Sequence, residues 1–236
     1  IHGTIIKLQS HNIMNWRNRM AITDKLVSKE EFHSYCEGKS ICIIGNSNRT
    51  LDEKNRGTGE FVDSHDIVMR MNHVYSNEER APFIGTKTDV WMMAVNPKLC
   101  DELSPRFPDR KYIFTPSWRG FTRRFSIPKK FAHQTYCSGP DFFQEHVNRL
   151  IKVWKKDFNG EGRELFTTSS GCKTITYFLE EVPYGSLTIM GVDFFKRPDI
   201  GKKRIGNWPK ERGRPDVEKY FLKKLFKKAR NFKRIK

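Results

Sequence analysis

An α/β fold, with a mostly parallel sheet flanked by helices in a single domain, is predicted by three features of the sequence. Its strand-like runs are apolar throughout instead of alternating, as in KSICIIG (Lys39–Gly45). These runs alternate along the chain with segments of helical periodicity. The 236 residues are 37% hydrophobic with 18 phenylalanines, enough to fill one core between the layers despite 30% charged residues. Strands that are apolar on both faces need cover on both faces, and a parallel sheet between helix layers provides it.

In chain order, KSICIIG is the first buried strand. HDIVMRMN (His65–Asn72), TDVWMMAV (Thr88–Val95) and KYIFT (Lys111–Thr115) are the next three. DFFQEHVNRLIKVWKKDF (Asp141–Phe158) puts Phe143, Val147, Leu150, Ile151 and Trp154 on one helical face. TTSSGCKTITYFLEEV (Thr167–Val182) opens on capping hydroxyls and continues with Ile175, Phe178, Leu179 and Val182 at helical spacing. SLTIMGVDFF (Ser186–Phe195) is a further strand. Arg214-Pro215-Asp216 starts a last helix whose stripe is Val217, Phe221, Leu225 with Leu222, Phe226 and Ala229. The expected division is an N-terminal helical or irregular segment (1–38), an α/β domain (39–218) and a basic amphipathic C-terminal helix (219–236).

The net charge of +17 implies a polyanionic or anionic partner. Lys219–Lys236 contains no acid at all. Five cysteines, without CxxC or metal-ligand spacing, exclude a fully paired disulfide framework and read as reduced thiols. No membrane-spanning stretch or signal peptide is visible. A cytoplasmic chain, peripheral at the inner membrane face, is expected. An N-terminal anchor trimmed from upstream would instead place it in the Golgi lumen.

In parallel α/β sheets, ligands bind at the carboxyl ends of strands. Gly45-Asn46-Ser47, Asn72, the hydroxyl run before Gly171 and the segment after Gly191 occupy such positions. Gly45-Asn46-Ser47 lacks the Gly-Lys-Ser/Thr of a Walker loop and the spaced glycines of a dinucleotide fingerprint. It offers close backbone approach, an amide and a hydroxyl, which suit a phosphate or a base and equally suit an ordinary turn. Arg70 and Asn72 share one side of their strand; an ion pair of Arg70 with Asp63 or Asp66 is the plain structural alternative.

CIIGNSNRTL…FVDSHDIVMRMN…IGTKTDV, spanning Ile41–Asp89, resembles the large sialylmotif of the animal-type sialyltransferase family. TTSSGCKTITYFLEEVPYGSLTIMGVDFF resembles the small sialylmotif. The resemblance implies a nucleotide-binding Rossmann-like domain of variant GT-A-like kind. It implies transfer of sialic acid from CMP-sialic acid to a glycan or glycolipid hydroxyl with inversion. CMP-Kdo or another nonulosonate donor stays open. It also implies that Asn46, Ser47, Asn72, Ser169, Ser170 and Gly171 hold the CMP part of the donor, and that no metal or other cofactor is needed. The absence of Asp-x-Asp, the usual clamp for diphosphate sugars, agrees with that.

The chain departs from the family pattern in two ways. No histidine follows His146, so the general base of the family's later motifs has no counterpart; Gly206 or Arg214 stands at its place, depending on the alignment. Glu211 is the candidate base in that segment, with His73 beside Asn72 as second candidate. The disulfide joining the two motifs is also missing, since Cys42 has no partner in the small motif. The basic tail suits an anionic membrane surface better than nucleic acid, because its aromatics share a stripe with leucines. A catalytically impaired nucleotide-binding homologue and a basic nucleic-acid-binding protein are the alternative readings.

Overall fold

The computed structural model describes residues 26–94, 97–116, 129–160, 168–193 and 215–235. Seven strands form one sheet in which each neighbouring pair is parallel: β1 Ser40–Ile44, β2 Ile67–Met71, β3 Val90–Met92, β4 Tyr112–Thr115, β5 Thr135–Cys137, β6 Ser186–Met190 and β7 Phe232–Ile235. Their spatial order is β5-β4-β3-β2-β1-β6-β7. The predicted parallel α/β sheet is therefore present. The chain moves outward from β1 to β5 on one side, then returns to add β6 and β7 on the other. The reversal lies between β1 and β6, and a crevice opens at the carboxyl ends of strands at such a point.

The helices are α1 Lys29–Cys36, α2 Thr58–Asp63, α3 Ala81–Ile84, α4 Pro97–Leu103, α5 Pro140–Asp157, α6 Ser170–Glu180 and α7 Pro215–Lys228. On one face, α1, α5, α6 and α7 pack over Ile41, Ile43, Met69, Met92, Phe114 and Ile189. Phe32 of α1 is fully buried and stacks on Tyr136, so this helix belongs to the same core. On the other face, Cys42, Ile44, Val68 and Met190 pack under Val62, Phe83 and Ile84 of α2 and α3.

Two helical predictions are refined. The buried face of α5 is His146, Leu150 and Trp154, with Phe142 and Val153 packed beside it. It is rotated from the predicted stripe because a histidine takes an inward position and is paired there. The tail is not one continuous helix: α7 ends at Lys228, and Phe232–Ile235 pairs with β6 as an edge strand. Asn231, at φ 49, turns the chain into that strand, and its Nδ2 donates to Gly185 O at 3.0 Å.

Much of the large-motif segment serves as scaffold. Asp63 accepts from the Thr86 and Lys87 amides at 2.8 and 2.9 Å, and Asp66 from the Ser40 amide and hydroxyl at 2.8 and 2.6 Å. His65 links α2 to β6 through Thr188 Oγ1 at 3.0 Å. Arg70 is completely buried. Its guanidinium donates to Lys87 O, Thr88 Oγ1 and Ile84 O at 3.0, 2.8 and 2.8 Å. The suggested pairing of Arg70 with a carboxylate is thus replaced by carbonyl and hydroxyl acceptors in the loop before β3. Asp63 is instead spent on amides of that loop.

Candidate functional site at the sheet switch point

The loop after β1 and the loop after β6 meet backbone to backbone. A Cβ on Gly45 would lie 2.4 Å from Gly191 O, and one on Gly191, itself at φ +70, would lie 2.7 Å from Gly45 O. The Gly45 amide donates to Met190 O at 2.8 Å and the Ser47 amide to Gly191 O at 3.0 Å. Any side chain at either glycine would push these loops apart. Ser47 is buried; its hydroxyl donates to Asp193 Oδ2 at 2.7 Å and accepts from the Arg49 amide at 3.2 Å, capping the short 3-10 turn Asn48–Leu51. The hydroxyl expected to grip a ligand therefore also ties the two loops together.

Asn46 and Asn72 both follow the carboxyl ends of adjacent parallel strands. The register pairs Ile44 with Arg70, so both asparagines stand two residues beyond paired positions on adjacent parallel strands. Strand neighbours lie about 4.8 Å apart. Asn46 Oδ1 is buried and has no hydrogen-bond partner among the described residues. Buried amide oxygens are normally paired, so this atom is left to accept from a donor beyond the described residues. Asn72 adopts φ 49, a left-handed conformation that asparagine tolerates. Its Oδ1 accepts from the Ala94 amide at 3.0 Å and its carbonyl from Trp91 Nε1 at 2.9 Å. The side-chain oxygen is thus used in the fold.

The start of α6 closes the third side. A Cβ added to Gly171 would touch Met71 Sδ at 3.8 Å, which places the first turn of α6 over the end of β2, next to Asn72. Ser169 is the N-cap, accepting from the Cys172 amide at 3.1 Å. Its own amide and hydroxyl donate to Glu218 at 2.5 and 2.6 Å. Glu218 thus brings a carboxylate from α7 to the positive end of α6. Burial raises its pKa, opposed by the Ser169 and Thr168 hydrogen bonds and by Lys173. Ser169 is fully engaged within the protein, and Ser170 and Gly171, both half-buried, form the part of this helix start turned outward.

Glu218 was not legible as a site residue, since it sits beside Val217 in a charged sequence that reads as solvent-facing. His73, the second candidate base, is half-buried, and its carbonyl accepts from the Tyr75 amide at 2.9 Å. Glu211, the first, lies outside the described residues, as do Gly206 and Arg214. His146 is buried at the base of α6, Nε2 being 3.3 Å from Thr168 Oγ1; burial, with Lys173 and Arg149 nearby, pushes its pKa down to about 3. All five cysteines are free thiols, and burial raises Cys42 to about 12. Among the described residues no group of three or more metal-ligating side chains comes together, and no helix is long and apolar enough to cross a membrane.

The family model of glycosyltransferase family 29 (sialyltransferase) matches residues 7–118. A crystal structure of a mammalian sialyltransferase aligns with a TM-score of 0.56 at 16% identity, covering 93% of this chain and 78% of that one. The crystal structure of a mammalian sialyltransferase in complex with Gal-beta-1-3GalNAc-ortho-nitrophenol aligns with a TM-score of 0.55 at the same identity and coverage. No curated protein matches the chain. The family match takes in the segment Ile41–Asp89 that carries the large motif, in agreement with the resemblance read there, and the fold is similar to that of a mammalian sialyltransferase.

Proposed function

We propose that the chain is a glycosyltransferase of the sialyltransferase kind, which transfers sialic acid, or a related nonulosonate, from a CMP-sugar to a glycan or glycolipid hydroxyl with inversion. The observation that supports this reading is the position of Asn46 and Asn72 past the carboxyl ends of adjacent parallel strands, with the first turn of α6 against Met71 and with Asn46 Oδ1 buried and without a hydrogen-bond partner among the described residues.

The chemistry asks for few groups. The acceptor oxygen attacks the anomeric carbon, the bond from that carbon to the phosphate oxygen breaks, and CMP departs carrying the charge. Amide donors from Asn46 and Asn72, with the Ser170 hydroxyl and the Ser170 and Gly171 amides at a helix N-terminus, stabilise that developing charge without a divalent ion. Ser47 holds the loop that carries Asn46. A base must take the acceptor proton. Glu211 is proposed for this role, with His73 as the second candidate. General-base catalysis is worth about 10²–10⁴-fold, so its loss slows transfer without abolishing donor binding. The basic surface of α7 and the tail is proposed to hold the enzyme beside an anionic membrane.

Release of CMP from CMP-sialic acid, measured with and without a galactoside acceptor, tests the proposal. Turnover that survives chelator, falls in Asn46→Ala and falls further in Glu211→Ala is the expected pattern. The absence of a histidine after His146 supports a second reading, a CMP-binding protein without transferase activity. Thermal stabilisation by CMP with no turnover would select it. Failure of CMP to bind, together with salt-dependent binding of nucleic acid, would overturn both.

A further inference from the structure

Tyr75 follows Asn72 by three residues in the loop after β2, and two guanidinium groups pack on its ring. The Arg80 guanidinium carbon is 4.5 Å from the ring centroid and that of Arg106 is 4.3 Å from it. The two cations are therefore no farther apart than those distances together. The ring is a fixed platform, packed against the buried cluster of Trp91, Cys100, Leu103 and Phe107. Arg80 reaches it from a turn in which its amide donates to Asn77 Oδ1 at 3.0 Å, and its Nη1 donates to Tyr75 O at 3.3 Å. Arg106 ends the 3-10 turn Ser104–Arg106, which Arg110 braces by donating to Ser104 O at 3.0 Å and to Ser104 Oγ at 2.8 Å. Arg106 is exposed and Arg80 half-buried. Glu78, Glu79, Glu102 and Asp109 are near in sequence, yet among the described residues no carboxylate forms an ion pair with either arginine; Asp101 is paired with Lys130 at 2.7 Å. The ring attracts each cation, but nothing described here offsets their mutual repulsion as a shared anion would.

The pair also borders the candidate site. Three Cα steps of 3.8 Å keep Tyr75 within about 11 Å of Asn72. The turn between them is closed by the Val74 amide donating to Met71 O at 3.0 Å and the Tyr75 amide to His73 O at 2.9 Å. We propose that Arg80 and Arg106 hold an oxyanion carried by the acceptor, which makes the acceptor an acidic glycan bearing a carboxylate or a phosphate. This rests on the reading of the chain as a transferase whose donor lies beside Asn72. Guanidinium forks match the paired oxygens of either group. Stacking on Tyr75 already restricts both arginines, so less side-chain freedom is lost when the anion binds.

Calorimetric titration of the full chain with three probes at equal ionic strength tests the assignment: a neutral galactoside, the same galactoside carrying a carboxylate sugar, and the same galactoside phosphorylated. At least one charged form should bind about tenfold or more tighter than the neutral one, the scale of a charge-assisted hydrogen bond. Whichever charged form is preferred identifies the source, and a preference for either or both upholds the site. The preference, taken as a ratio within each variant so that misfolding cannot imitate it, should collapse in Arg106→Gln and in Arg80→Gln. It should persist in Lys152→Gln and Lys155→Gln, exposed on α5 over the opposite face of the sheet, which remove the same charge. Equal affinity for neutral and charged forms, a preference that both arginine variants keep, or one that the lysine variants lose equally would overturn the proposal. Transfer from CMP-sialic acid to the same probes is followed in parallel. Arginine-dependent binding without transfer upholds the oxyanion site and overturns the transferase reading; transfer with equal KM for neutral and charged forms does the reverse.

Discussion

Glu218 and Ser169 are locked together: one carboxylate takes the backbone amide at 2.5 Å and the hydroxyl at 2.6 Å, and so caps α6 from the neighbouring helix α7. The charge at this helix start is supplied from within the protein. Two adjacent serines that look equivalent in sequence therefore have different duties. Ser169→Ala is expected to lower stability by about 1–2 kcal/mol, the usual cost of a lost cap, and to leave CMP affinity nearly unchanged. Ser170→Ala is expected to do the reverse, leaving the melting temperature in place and weakening CMP about tenfold, or 1.4 kcal/mol. Thermal melts and CMP titrations of both variants decide it. Equal effects of the two on affinity would mean that Glu218 gives way when ligand binds.

Asn72 combines an unusual backbone angle with a spent side-chain oxygen. Both Asn72→Ala and Asn72→Gly lose the bond to the Ala94 amide and the amide donor proposed for the ligand. Only alanine also suffers at φ 49, by about 1–2 kcal/mol. Urea denaturation should therefore rank Asn72→Gly as the more stable variant, while both bind CMP equally poorly. If the glycine variant retains wild-type affinity, the side chain serves the turn alone.

Apolar runs such as ICII, IVM and LTIM made most of the sheet legible, because strands buried on both faces advertise themselves by composition. β5 and β7 were missed for physical reasons. Thr135–Cys137 is too short to show a pattern, and Phe232–Ile235 lies among basic residues that edge strands tolerate and central strands do not. At the site, Asn46, Asn72 and Ser170 were readable because strand ends and a capped helix start mark themselves with Gly, Asn and Ser. Glu218 and Asp193 were not. Their roles come from tertiary contacts with residues 49 and 146 positions away, to Ser169 and Ser47 respectively, and no local spacing encodes those.

Arg70 supports the loop before β3 with three hydrogen bonds from inside the core. Burial lowers its pKa to about 10, still far above neutrality, so the charge persists. Lysine cannot reproduce the planar fork, and Arg70→Lys should strand carbonyls of Ile84 and Lys87. A loss of about 3 kcal/mol or more is expected from the broken charged hydrogen bonds. It should be read as a lower urea midpoint. A variant within 0.5 kcal/mol of wild type, roughly the range of neutral surface changes, would show that Arg70 is not the strut of this loop.

His146 makes the stability of the fold depend on pH. Phe142 stacks on it, Phe221 meets it edge-on, Thr168 bonds Nε2, and Lys173 and Arg149 disfavour its charge. Its pKa falls from the ordinary 6.5 to about 3. Between those values the unfolded chain binds a proton that the folded chain refuses. Stability is therefore full above the unfolded pKa and declines as pH drops below it, by up to about 1.4 kcal/mol per pH unit from this group. Glu218 acts in the opposite sense: with its folded pKa raised, it favours the folded state as pH falls through that value and loses the contribution as pH rises. The two are separated by comparing wild type with His146→Gln across pH 4 to 7.5. The variant should show the shallower acid-side decline in urea midpoint, and parallel pH profiles would mean that His146 takes its proton in the folded state.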